Sequence, residues 1–74
     1  MGQDFSTFRD NVRLLVLAEG ISQRQLAAKI GVSQSHFSRV MSGDRDPSLD
    51  IVCAISRRYH RKMDDLLNKK VLKA

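Results

Sequence analysis

The chain has 74 residues, 42% of them hydrophobic and 28% charged, and a formal net charge of +5. That length holds one small domain with a core of limited depth, and that balance excludes a disordered tail. No apolar run approaches the roughly 18 residues a membrane span needs. No basic-then-apolar leader opens the chain, so it is expected to stay in the cytoplasm where it is made. The single cysteine, Cys53, excludes an internal disulfide framework and suits a reducing compartment. The charge is uneven. Residues 1–50 carry six Lys/Arg against six Asp/Glu, while residues 51–74 carry seven against two, which is the whole +5. A basic end of this kind suits a polyanionic partner, or simply keeps a small protein in solution.

Apolar spacing predicts five helices and no strand. The first covers about Phe5 to Ala18, with Phe8, Val12, Leu15 and Val16 at helical intervals, and stops at Gly20. The second opens at Ser22, where Ser22-x-x-Gln25 forms a capping box, and carries Leu26, Ala27 and Ile30 inward. Gly31 ends it, since glycine adopts positive φ without cost. Val32 packs beneath that turn. Ser33 caps the third helix, which runs to about Met41 ahead of Gly43 and turns Phe37 and Val40 inward. After the polar loop Gly43-Asp44-Arg45-Asp46, the pair Asp46-Pro47 reads as a cap followed by proline in the first helical position. The fourth helix then carries Leu49, Val52, Cys53 and Ile55 to about Tyr59, with Cys53 expected as a buried structural thiol. The fifth is short, from about Met63 to Asn68, and leaves a tail at 69–74. Loops of two to six residues leave no room for a linker, so residues 1–74 read as one domain.

The segment from Ser22 to Gly43 has the layout of two short helices joined by a tight turn. On the second of them Gln34, Ser35, His36, Ser38 and Arg39 are left outside the apolar stripe, all with hydrogen-bonding side chains. A helix-turn-helix lays such a helix in the DNA major groove.

At this point the chain resembles the lambda-repressor-like, Cro/XRE-type helix-turn-helix family. The residues that carry the resemblance are Ser22-Gln23, Leu26-Ala27, Gly31-Val32-Ser33-Gln34, Phe37-Ser38-Arg39, Gly43 and Pro47-Ser48-Leu49, in order and at the family's spacing. It covers about Phe8 to Leu67. It implies an all-α, compact five-helix domain that binds operator DNA, normally as a homodimer: a small repressor of bacterial, phage or mobile-element type, working at the nucleoid. Residue by residue, it implies that Gln34, Ser35, Ser38 and Arg39 face the bases. Arg39 has the geometry for guanine and Gln34 for adenine. Gln23 falls where the family grips phosphate, and Ser22, Ser33 and Arg45 where backbone contacts usually occur. His36 lies beside them, as a bystander or a phosphate contact. Dimerisation is expected through Tyr59, Met63, Leu66 and Leu67, with Arg57, Arg58, Arg61 and Lys62 on phosphates near the dimer axis.

Two departures from the family stand out. Where many members pair an arginine of the first helix with a glutamate ahead of the loop, this chain has Val16 and Met41, which are expected to touch as an apolar substitute. Where the fourth helix often ends in glycine, the chain reads Tyr59-His60-Arg61-Lys62. Leu14 and Leu17 occupy first-helix positions that are usually polar. Either they form a patch for a protein partner, as in an antitoxin or anti-activator built on this fold, or Val71 and Leu72 cover them. No paired carboxylates, Cys/His or Ser/His/Asp arrangement, phosphate loop or metal-ligand spacing is present, so no enzyme activity, cofactor or metal is expected.

Overall fold

Helix α1 (Ser6–Glu19) is the long element of the structure, a computed structural model that describes residues 4–69. After it come α2 (Gln23–Ile30), α3 (Gln34–Ser42), α4 (Leu49–Tyr59) and α5 (Met63–Asn68), with no strand among the described residues. None of these helices is long and apolar enough to cross a membrane. Val71 and Leu72 lie outside the described residues.

Each helix is too short to persist alone in water and is held by the apolar face it buries. The shared core takes Phe8, Val12, Leu15 and Val16 from α1, Leu26 and Ala27 from α2, and Phe37, Val40 and Met41 from α3. Ile51, Val52 and Ile55 of α4 and Leu66 of α5 complete it, while Ile30 and Val32 pack against its edge half-buried. Val16 and Met41 both lie in this cluster, at 6% and 3% exposure. The position where a charged pair would have to be desolvated is therefore apolar.

The starts of α2, α3 and α4 follow serines. Ser22 completes its capping box, its hydroxyl accepting from Gln25 N at 3.0 Å while its own N–H donates to Gln25 Oε1 at 2.9 Å. Ser33 caps α3 by accepting from His36 N at 3.2 Å. The fourth helix corrects the expectation. Its cap is Ser48, accepting from Ile51 N at 3.3 Å, and not Asp46. Pro47 is buried one residue before that cap, so its fixed φ directs the chain into α4 from outside. Ile51, Val52 and Ile55 are thereby turned inward, and Leu49 is left 71% exposed. Cys53 is half-buried, where full burial was expected.

The one buried polar residue among those described is Asn11, at 0% exposure. Its Nδ2 donates to the carbonyls of Leu66 at 2.8 Å and Lys69 at 2.6 Å. Those are groups that the C-terminal end of α5 cannot satisfy within its own helix. Successive residues on a helix are about 100° apart. Asn11 therefore flanks the apolar stripe of α1 on one side, while Arg9 and Arg13 flank it on the other. Leu17, on the side of α1 away from that stripe, is 77% exposed, whereas Leu14 is half-buried. The two leucines thus do not form one exposed patch.

Candidate nucleic-acid interface

The turn between α2 and α3 follows from Gly31, whose φ of 75° lies in the left-handed region. With Gly31 in that conformation, Val32 N reaches back to Ala27 O at 2.9 Å, closing a Schellman turn. Phe37, Val40 and Met41 fasten α3 to the core. The same helical spacing leaves Gln34, Ser35, Ser38 and Arg39 all exposed.

Two shallow clefts divide these four side chains. Gln34 and Ser38 share one with Gln23, Arg24, Ala27 and Phe37, between α2 and α3. Ser35 and Arg39 share the other with Ser33, His36 and Arg45, on the loop side of α3. Of the residues expected near the backbone, Gln23, Ser33, His36 and Arg45 thus each lie beside a candidate reader. Ser22 lines neither cleft, and its hydroxyl is engaged in capping. Arg24 carries no sign of a role at this site in the sequence. Its Nε donates to Gln34 Oε1 at 2.9 Å, a contact across ten residues that helical periodicity does not announce.

The far end of α3 is held from α1. Arg9 Nε donates to Val40 O at 2.7 Å, and Arg13 Nη2 to Met41 O at 2.9 Å. Both arginines thus satisfy carbonyls at the negative end of the helix dipole. The loop that follows folds back on the same frame. Arg45 N donates to Arg39 O at 3.2 Å, and Arg45 O accepts from Arg9 Nη2 at 3.3 Å. Arg45 is fixed beside Arg39 through both groups of its own backbone. A polar link between α1 and α3 is therefore retained despite Val16 and Met41, but its acceptors are backbone carbonyls.

The helix-turn-helix family profile matches residues 12–66, which contain all of α2, α3 and α4. The chain belongs to the Cro/XRE-type helix-turn-helix family. It is similar to the uncharacterized HTH-type transcriptional regulator YvzC of Bacillus subtilis (strain 168). Identity is 34% over 58 residues, which are 78% of this chain and 75% of the relative. No solved structure matches it. DNA binding is the activity that membership in this family implies.

Outside the family's DNA-reading motif, the residues expected at a dimer interface differ in their surroundings. Leu66 is at 0% exposure in the core and presents no surface to a second copy. That is a correction: a short helix packed on α1 and α4 spends its central leucine inward. Tyr59, Met63 and Leu67 are half-buried at the core's margin. The Tyr59 hydroxyl donates to Glu19 Oε1 at 2.6 Å, and Arg58 pairs with the other oxygen of that carboxylate. The Tyr59 hydroxyl bond, aided by Arg58, holds the Glu19 carboxyl below the usual range, and burial, with Glu19 beside it, pushes the Tyr59 phenol up. Arg58 is therefore committed within the chain. Of the four cations expected near a dimer axis, Arg57, Arg61 and Lys62 remain exposed.

Proposed function

We propose that the protein is a sequence-specific double-stranded DNA-binding transcriptional regulator. On this reading α3 enters the major groove, Gln34, Ser35, Ser38 and Arg39 read bases, and Gln23, Ser33, His36 and Arg45 hold phosphates. The observation that carries it is the division of α3 itself. Phe37, Val40 and Met41 are buried while all four candidate readers are exposed, two in each cleft. A homodimer would set two such helices on half-sites about 34 Å apart. With Leu66 internal, Tyr59, Met63 and Leu67 are the residues we assign to that contact. The regulator is a small repressor of bacterial, phage or mobile-element type, acting in the cytoplasm at the nucleoid.

Selection of duplexes from a random library tests this. An enriched palindrome with half-sites one turn apart supports dimeric reading, and a failure to enrich any sequence overturns it. Within the enriched site, Arg39→Ala is expected to cost about 1–3 kcal/mol and to relax one base position.

A second reading rests on Leu17, whose 77% exposure on the outer side of α1 leaves a large apolar side chain facing water. An antitoxin or anti-activator would use that face for a partner protein. Under that reading Arg39→Ala changes little, and Leu17→Lys abolishes partner binding while DNA affinity is unaltered.

A further inference from the structure

We propose that Arg24, a residue of α2, determines specificity jointly with Gln34 and selects a guanine next to the base pair that Gln34 addresses. The inference rests on the DNA-reading function proposed above. Arg24 Nε donates to Gln34 Oε1 at 2.9 Å, so the two side chains form one unit across the mouth of the α2–α3 cleft. A guanidinium has five N–H donors and no acceptor, so the oxygen of the Gln34 amide must face Arg24. The amide nitrogen then faces away, and the alternative flipped amide is excluded by chemistry.

What remains is an edge of donors. With Nε engaged, Arg24 Nη1 and Nη2 have no hydrogen-bond partner among the described residues, and no carboxylate there pairs with the charge. Gln34 Nε2 is likewise unpartnered among them and lies in the same cleft, beside Ser38. In the major groove guanine offers two adjacent acceptors, N7 and O6. Adenine sets a donor beside N7, and cytosine offers a donor. Thymine offers the single acceptor O4 beside a methyl group, so of the four bases only guanine pairs both outer nitrogens of a forked donor held by its inner one. Anchoring on Gln34 also removes much of the rotamer freedom that an exposed arginine otherwise loses on binding.

The test compares wild-type protein with R24M, R24K and Q34A on random-library duplexes, followed by competition binding on the enriched site. Arg24 is exposed, so melting temperatures are expected to match wild type; should R24M fail to fold, R24K carries the comparison. The wild-type motif is expected to contain a guanine that R24M no longer selects, with the other positions kept. R24K, a point charge without the fork, is expected to lose discrimination there by about 10-fold or more. Q34A should weaken the same position, because Arg24 loses its anchor, and R39A should relax a different one. An identical motif from wild type and R24M overturns the assignment of Arg24 alone. So does a loss that is uniform across sequences with a log K versus log salt slope shallower by about 0.9, which would place Arg24 on a phosphate. If wild type enriches no motif, the DNA-reading function falls and this inference falls with it.

Discussion

Two of the chain's helix–turn–helix units, α2–α3 and α4–α5, are built on the same backbone turn but secured by different chemistry. Between α2 and α3 the left-handed residue is Gly31; between α4 and α5 it is His60, at φ 53°. Both turns close by the same long backbone bond, Val32 N to Ala27 O at 2.9 Å and Arg61 N to Ser56 O at 3.0 Å. The first unit is specified locally, with a capping box on Ser22, glycine at the turn and Ser33 on the next helix. The second has Lys62 before α5 with no side-chain cap, and a residue with a Cβ in the left-handed region. Distant residues secure it instead: Asn11 on the end of α5, Glu19 on Tyr59 and Arg58, and the core around Leu66. The turn of the unit proposed to read DNA thus rests on short-range rules, with Arg9 and Arg13 of α1 reaching only the far end of α3, whereas the other unit is secured at its turn and at its closing helix from α1.

The contrast can be broken most strongly at Asn11. Replacing it by alanine leaves buried carbonyls at the end of α5 unpaired, and is expected to cost about 2–3 kcal/mol in denaturant titrations. Hydrogen exchange should show α5 losing protection while α2 and the first turn of α3 keep theirs; equal loss in both units would refute the division. Arg9→Met is expected to cost about 1–2 kcal/mol, since it removes a charge-assisted bond to Val40 O, and to loosen the amides at the end of α3 and of Arg45. The turns themselves give smaller effects of opposite sign. Gly31→Ala should destabilise by about 1 kcal/mol, and His60→Gly should stabilise by about 0.5–1 kcal/mol, read from thermal melts of the two variants. If both changes destabilise, the left-handed His60 carries a side-chain contact that offsets its backbone cost.

The smallest effect is one of pH. The folded pKa of Glu19 is depressed by the Tyr59 hydroxyl and Arg58, so its contribution to stability is present above the ordinary carboxylate range. It is lost as pH falls through that range and below. Glu19→Gln should therefore show a shallower decline of melting temperature between neutral and acid pH than wild type. Curves of the same shape would place the acid sensitivity elsewhere.

The locally specified unit is also the one that was legible in the sequence. Ser22, Gln25, Gly31 and Ser33 act on neighbours within a few residues, and Phe37 and Val40 keep helical spacing, so the motif and its exposed face can be derived from position alone. The start of α4 is ambiguous in the sequence because Asp46 and Ser48 are both good caps, and tertiary packing of Ile51 and Ile55 decides between them. Leu66 looked available for a partner because a six-residue helix has too little pattern to tell inner from outer leucines. The bonds of Arg9, Asn11 and Arg24, and that of Arg13 to Met41, join residues at least ten apart in the chain, and these residue types have many uses on a helix surface. Nothing in local spacing distinguishes such a residue from a solvated one.

The alternation of Arg9, Asn11 and Arg13 along α1 has a mechanical consequence. Two residues along a helix amount to roughly half a turn, so this short stretch grips α3 on one flank and α5 on the other. One helix is thereby the common reference for both: the end of α3 and the end of α5 are each positioned by hydrogen bonds to the same short stretch of α1.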